Sequence, residues 1–188
     1  MRFGVNDFSE CDAHCYIYNN TITGCSDTGI KTYRFSGTYT VYIKNNIITG
    51  CGVYGLDKVI SRCHMSIDYN CWDNNGTDVH YTSFDVITKG AHAVSSDPLF
   101  AEASPGTDED DYRLQSIGGR WTGSEWTKDV ASSPCIDTGD PAFDYSNEPS
   151  PNGGRINIGF DGNTTYASKA VGEGSSAYEY YYRYLMST

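Results

Sequence analysis

Positive charge is scarce in this sequence: 13 Lys and Arg stand against 24 Asp and Glu, for a formal net charge of −11. That surplus repels a phosphate backbone and no local Lys/Arg cluster offsets it, so nucleic acid is excluded as a partner. The same sign makes polyuronates such as pectate or alginate awkward substrates unless a cation or a basic patch screens them. Long apolar runs are missing too. Nothing approaches the ~20 apolar residues of a membrane span, and Met1 to Asp7 lack the apolar core of a secretory signal. If the protein is secreted, the chain is therefore a mature form or a piece of a longer one. Also missing are a Gly-x-Ser-x-Gly elbow, a Gly-rich phosphate loop and a His-Glu-x-x-His pair, which removes the main support for nucleophilic hydrolases, nucleotide enzymes and metalloproteases.

What is present fits one domain. A chain of 188 residues with 38% hydrophobic residues and 20 glycines can bury roughly 70% of its unfolded surface, so disorder is not expected. Seven cysteines suit an oxidising compartment, and the expected location is extracellular or at the cell surface. Seven is odd, so at least one thiol stays free or pairs between molecules.

Internal repetition sets the fold. Tyr16-Ile17-Tyr18-Asn19-Asn20-Thr21-Ile22-Thr23-Gly24-Cys25 recurs 26 residues later as Tyr42-Ile43-Lys44-Asn45-Asn46-Ile47-Ile48-Thr49-Gly50-Cys51. A weaker third copy, Ser66 to Asn75, follows after a shift of 24. Each copy alternates apolar and polar residues on both sides of an Asn-Asn or Tyr-Asn bend, the period-2 pattern of two short strands meeting at a corner. Gly29-Ile30 and Gly52-Val53, with Gly55-Leu56 just beyond, supply the next apolar stretch, so each turn holds several short strands. Stacking the copies at the ~4.8 Å strand spacing predicts columns. Ile17, Ile43 and Ile67 form one inward column, and Ile22, Ile48 and Trp72 a second. Asn20, Asn46 and Asn70 stack at a corner, where Asn tolerates the left-handed conformation and bonds its amide to the next turn. Cys25 and Cys51 become neighbours, in a bridge or, if their side chains run parallel, in a thiol ladder. The expected class is all-β, a short solenoid with a loop-rich closing region. Residues 1–15 form a lead-in or cap, 16–169 the coils and closing segments, and 170–188 a linker with a Tyr-rich tail. The competing reading is a β-sandwich with three unrelated Asn turns.

The repeats, followed by Asp97-Pro98-Leu99-Phe100, Asp111-Tyr112-Arg113-Leu114, Ser133 to Pro141 and Pro151 to Gly159, resemble the right-handed parallel β-helix proteins of the pectate-lyase-like superfold. The resemblance runs from about Tyr16 to Lys169. It implies the closing end of such a helix, in a family that includes polysaccharide lyases, glycosidases and non-catalytic surface proteins. Only about three repeats are visible, fewer than the family's enzymes have, so the chain is either a C-terminal fragment or a short natural solenoid.

Candidate site residues follow from the columns. Tyr18, Lys44 and Asp68 share one outward column and are candidate substrate contacts; the resemblance implies a Lys or Arg base beside acidic groups, while a plain Lys44–Asp68 surface ion pair explains them adequately and is the favoured reading. Trp121 and Trp126, on the loop before the closing segment, are candidate sugar platforms. Asp108 and Asp110, in the acidic run Thr107 to Asp111, offer oxygen ligands to Ca²⁺, though the run also suits a solvated loop. Asp137 and Asp140 flank a turn and are expected to accept backbone N–H groups, with Arg155 pairing to one of them. Cys11, His14, Cys15, Cys63 and His64 give only a weak zinc pattern. Asn19, Asn75 and Asn163 lie in N-x-Thr sequons. Ala177 to Met186 is expected to pair as an extra strand, on its own chain or on a neighbour, the alternative being a disordered terminus.

Three functions are compatible with this pattern. The leading one is a non-catalytic surface β-helix that binds polysaccharide or a partner protein. The alternatives are a fragment of a polysaccharide lyase or glycosidase, and a self-associating fibre subunit.

Overall fold

The computed structural model describes residues 14–32, 40–59, 64–82, 86–102 and 111–172. The expected N-terminal lead-in and the Tyr-rich tail fall almost wholly outside these residues, as do Asp108 and Asp110. Among the described residues the fold is all-β, without helices.

The chain passes three times through the same sequence of three strands. The first pass is β1 (Cys15–Tyr18), β2 (Thr21–Thr23) and β3 (Thr28–Thr32); the second is β4 (Thr40–Lys44), β5 (Ile47–Thr49) and β6 (Tyr54–Lys58); the third is β7 (His64–Asp68), β8 (Cys71–Asp73) and β9 (Thr77–Tyr81). Like strands lie side by side in three parallel sheets, β1-β4-β7, β2-β5-β8 and β3-β6-β9. The registers match the columns read from the repeats. Ile17, Ile43 and Ile67 are in line, as are Ile22, Ile48 and Trp72. Ile30, Leu56 and Val79 form the third line. Together these side chains make one core cluster, and burying each large apolar group stabilises the fold by roughly 1.5–3 kcal/mol.

The corner between the first and second sheets is held by amides. Asn46 Oδ1 accepts from the backbone N and the Nδ2 of Asn20, both at 3.0 Å, and Asn70 Oδ1 accepts likewise from Asn46, both at 2.9 Å. Asn46 Nδ2 also donates to Ile17 O and Lys44 O, and Asn70 Nδ2 to Ile43 O and Asp68 O. The left-handed residues of this corner are the preceding ones, Asn19, Asn45 and Tyr69, with φ of 51°, 57° and 55°, and not the ladder asparagines as expected. Bending at the earlier position leaves the ladder residue free to turn its amide inward along the stack. At the next corner Gly24 and Gly50 take φ of 65°, a region closed to most side chains, and Asn74 replaces them in the third turn.

Cys25 and Cys51 are neighbours, as expected. Each thiol donates to the carbonyl two residues back, on Thr23 and Thr49 at 3.9 Å, so the two point alike and form a ladder. Burial, reinforced by Cys25, pushes the Cys51 thiol up to about 12.

A fourth pass begins and stops. Val94 bridges Cys71 in parallel fashion, accepting from Trp72 N and donating to Asn70 O. The chain then forms two antiparallel pairs, β10 (Phe100–Glu102) with β11 (Asp111–Leu114) and β12 (Arg120–Trp121) with β13 (Trp126–Thr127). The remainder is irregular and lies against the Asn corner. Gly159 N bonds Asn45 O at 2.9 Å, Asp140 N bonds Asn45 Oδ1 at 2.8 Å, and Asn19 Nδ2 reaches Asn157 O and Gly159 O. A second cluster, Ile47, Cys71, Leu114, Cys135 and Ile158, fills the space between stack and closing region. Glu148 organises that region from within, its Oε1 accepting from Asn157 N and Asn163 N. Its Oε2 is buried with no hydrogen-bond partner.

Two outcomes follow from this packing. Asn46→Ala removes a wholly buried amide that serves three turns, and should cost about 3–5 kcal/mol in urea unfolding. Asn20→Ala, at the end of the ladder, should cost less than half of that; equal losses would remove the ladder's central role. For Glu148, burial pushes the carboxyl up to about 7, against the pull of the Asn163 and Asn157 amides. A raised acid stabilises the fold below its ordinary pKa, and that contribution fades as pH rises through the raised value. Stability should therefore fall between about pH 5 and 8, and Glu148→Gln, which keeps the acceptor without the ionisation, should flatten the fall. A variant with the same slope would place the titrating group elsewhere.

Candidate functional site

The outer face of the β1-β4-β7 sheet carries most of the chemistry. Strand alternation that sends Ile17, Ile43 and Ile67 inward sends Tyr16, Tyr42 and Ser66 outward in one row and Tyr18, Lys44 and Asp68 in the next. The column expected for the last three is present.

The first row is aromatic. Tyr16 and Tyr42 stack with centroids 5.2 Å apart and planes 12° apart. Tyr18 lies 5.5 Å from Tyr16, and His14 meets Tyr42 edge-on at 5.7 Å. Tyr16 is 58% exposed, so the group opens to solvent. His14 is thus engaged with tyrosines, and Cys15 packs against the apolar core. Among the described residues no group of three or more His, Cys, Asp or Glu is placed to hold a metal ion.

In the second row the charges are already matched, though not to each other. Lys44 Nζ bonds Asp140 Oδ2 at 2.7 Å, and Asp68 engages His92, through Oδ1 to the backbone N and through Oδ2 to the ring Nδ1, both at 2.8 Å. The expected Lys44–Asp68 pair is replaced because residues from beyond the repeats supply better partners. Asp140 is held over Lys44 by the bond from its own N to Asn45, and Asp68 gains backbone donors from Tyr69 and His92. The pairing moves the ionisations. Burial works against both carboxylates, but the His92 bonds hold Asp68 below the ordinary range, and the Lys44 and Ala142 bonds do so for Asp140. The bond to Asp140 raises Lys44, against its burial. Tyr18 is raised by burial, opposed by Lys44, and its ring meets Phe143 edge-on at 4.9 Å.

At the third turn Tyr69 stacks flat on His92, 4.4 Å away and 2° off parallel, with the Arg155 guanidinium 5.5 Å from the Tyr69 ring centre. Arg155 donates to the carbonyls of Thr138 and Gly139 where a carboxylate partner was expected. Asp140 accepts the Ala142 N–H as expected. Asp137 lies within the charge field of Arg155 and accepts from Gly153 N, yet burial raises its carboxyl.

Trp121 and Trp126 are also brought together, on a different surface. They face each other across β12 and β13 with centroids 5.6 Å apart. Tyr166 lies beside Trp121 at 5.7 Å, and Lys169 Nζ sits 4.1 Å from the Trp126 ring centre. The hairpin is fixed by Arg120, which forks onto Asp129 and also reaches Asp111. All three sequon amides are engaged: Asn19 bonds the closing segment, Asn75 bonds Ile48 O and Asp78, and Asn163 donates to Asp144 and accepts from Asn147 N.

A further column, Lys31, Asp57 and His80, was not read from the sequence. Asp57 accepts from His80 Nδ1 at 2.8 Å and pairs with Lys31 at 3.4 Å, while Tyr54 stacks on His80. Extending the repeat shift from Gly29-Ile30 would have found Lys31 and Asp57. Asp140 and Phe143 carry no such signal, since they come from segments that do not repeat, whereas His92 stands 24 residues after Asp68, the shift of the third copy, and was missed because the fourth pass has no recognisable sequence copy.

A family model described as disaggregatase related matches residues 54–139, less than half of the chain. The match includes Asp68, Tyr69, His92 and both tryptophans, but not the tyrosine row of β1 and β4. No curated protein and no solved structure matches.

The depressed carboxylates set an acid response. Their contribution is present above the ordinary carboxylate pKa and lost as pH falls through the lowered values. Asp140→Asn should therefore lose about 1–3 kcal/mol at pH near 5, a gap that closes as both proteins are acidified. A gap independent of pH in urea titrations would mean that the Lys44 pair carries no charge-dependent stability.

Proposed function

We propose that this chain is a short right-handed parallel β-helix, with a loop-rich closing region, that binds polysaccharide outside the cell or at its surface without cleaving it. The solenoid reading is supported by the parallel sheets, in which every third strand is a neighbour, and by the amide ladder at one corner. The binding reading is carried by one observation: the Tyr16–Tyr42 stack, with Tyr18 and His14 beside it, includes a ring, Tyr16, that is 58% exposed. Sugar rings present C–H faces that lie well on such aromatic surfaces, and successive turns match an extended chain better than a compact ligand. The charged residues of the face already have partners, Lys44 in Asp140 and Asp68 in His92, and the net charge of −11 disfavours polyanions, so a neutral or weakly charged glycan fits best.

One observation favours a second, enzymatic reading. Asp68 holds His92 through Nδ1, which leaves Nε2 outside that pair on a side chain 56% exposed, the arrangement of an oriented general base.

The test is retention on an immobilised neutral glucan. Tyr16→Ala with Tyr42→Ala should weaken binding at least about tenfold, since each ring contact contributes about 0.5–1.5 kcal/mol, with no change in melting temperature beyond a few degrees. Unchanged retention would remove the tyrosine row as the binding surface. Reducing-end assays should detect no product; turnover that disappears in His92→Gln would establish the enzymatic reading instead.

A further inference from the structure

The outward column of the β2-β5-β8 sheet is Thr21, Ile47 and Cys71, and the closing region lies along its length. Phe160 N bonds Thr21 Oγ1 at the first turn. At the second, Gly159 approaches Ile47 so closely that an added Cβ would sit 2.8 Å from Ile47 Cδ1. At the third, Cys135, whose carbonyl accepts from Ile158 N, packs with Cys71 in the second core cluster. Both cysteines are 0% exposed; the Cys71 thiol donates to Ser96 O at 3.3 Å, with the Cys135 thiol as its second hydrogen-bonding neighbour. These two come into one cluster from separate segments of the chain, unlike Cys25 and Cys51, which belong to successive copies of the repeat and run parallel.

We infer that Cys71 and Cys135 are a cross-linking site, joined as a disulfide when the chain folds in an oxidising medium, and that this bond ties the closing region to the third turn. The reaction is exchange with an external low-molecular-weight disulfide. One protein thiolate attacks it, forming a mixed disulfide and releasing one small thiol. The second protein thiolate then attacks the mixed disulfide, forming the Cys71–Cys135 bond and releasing the other small thiol. Two protein thiols are oxidised and one external disulfide is reduced. Hydrogen bonding to Cys135 and burial both keep the Cys71 thiol protonated once the core has closed, so exchange takes place while the closing region is still docking and is slow afterwards. The inference is independent of what the outer face binds.

The experiment uses the full chain refolded in a mixture of oxidised and reduced glutathione, then alkylated, digested without reduction and mapped by mass spectrometry. The expected result is one linked peptide pair joining Cys71 to Cys135, with Cys25 and Cys51 alkylated. Reduction should lower the melting temperature by roughly 5–15 °C, and Cys25→Ala should leave that shift intact. Cys135→Ala should melt where the reduced natural chain melts and be insensitive to reductant. Alkylation of Cys71 and Cys135 in the refolded, denatured protein, or linkage of either to another cysteine, would overturn the inference. The mapping is done on the natural chain, so it stands even if the variant fails to fold.

Discussion

The alignment of the three parallel sheets depends on one set of hydrogen bonds, the amide ladder through Asn20, Asn46 and Asn70. Parallel strands alone would tolerate sliding, because a shift of two residues keeps the same faces inward. An amide that must meet the carbonyl two residues back, a carbonyl of the neighbouring strand and the next amide of the ladder does not. Asn46 and Asn70 are 0% exposed, and a buried amide displaced from its partners carries a large desolvation cost. The ladder therefore fixes the register, and the register fixes which side chains stand in line on each outer face. The Tyr16–Tyr42 stack and the Tyr18, Lys44, Asp68 column are consequences of it.

The same ladder explains how much could be read from sequence. Residues inside the repeats were legible because equivalent positions in successive turns must stack, so the inward lines of isoleucines, the outward column and the Cys25–Cys51 neighbourhood all followed from a shift along the chain. The left-handed position was misassigned by one residue, since the sequence shows two asparagines in a row and only packing distinguishes which bends and which bonds. Partners supplied by the closing region were not legible. Nothing in the spacing of Lys44 and Asp140 announces a contact, although His92 stands one shift of 24 residues beyond Asp68. Local charge reasoning joined the two nearest opposite charges, whereas the fold gives each a partner with backbone anchorage.

The outer face is consequently a composite. Its rows come from repeated strands, but its charges are set by non-repeating segments that cross them. Phe143 and Asp140 arrive together and cover the second row at the first two turns, while His92 and Arg155 enclose Tyr69 at the third. Tyr69 occupies the left-handed position that asparagine fills in the other two turns, a conformation that costs a bulky residue about 1–3 kcal/mol. The stacking on His92 and the nearby guanidinium offset that cost, and they are contacts that the asparagines of the other turns lack.

The way the closing region lies along the Thr21, Ile47, Cys71 column gives it the character of a ruler. It makes contact at Thr21, Ile47 and Cys71 in turn, one mark for each pass of the chain. A stack without such a strap can lengthen by duplicating a turn, since each new turn meets only its neighbours. Here an inserted turn would displace every mark beyond it by ~4.8 Å, carrying Cys71 away from Cys135 while Gly159 stayed on Ile47. The number of turns and the length of the closing region must change together, which ties the size of the outer face to a segment that contributes no strand to it.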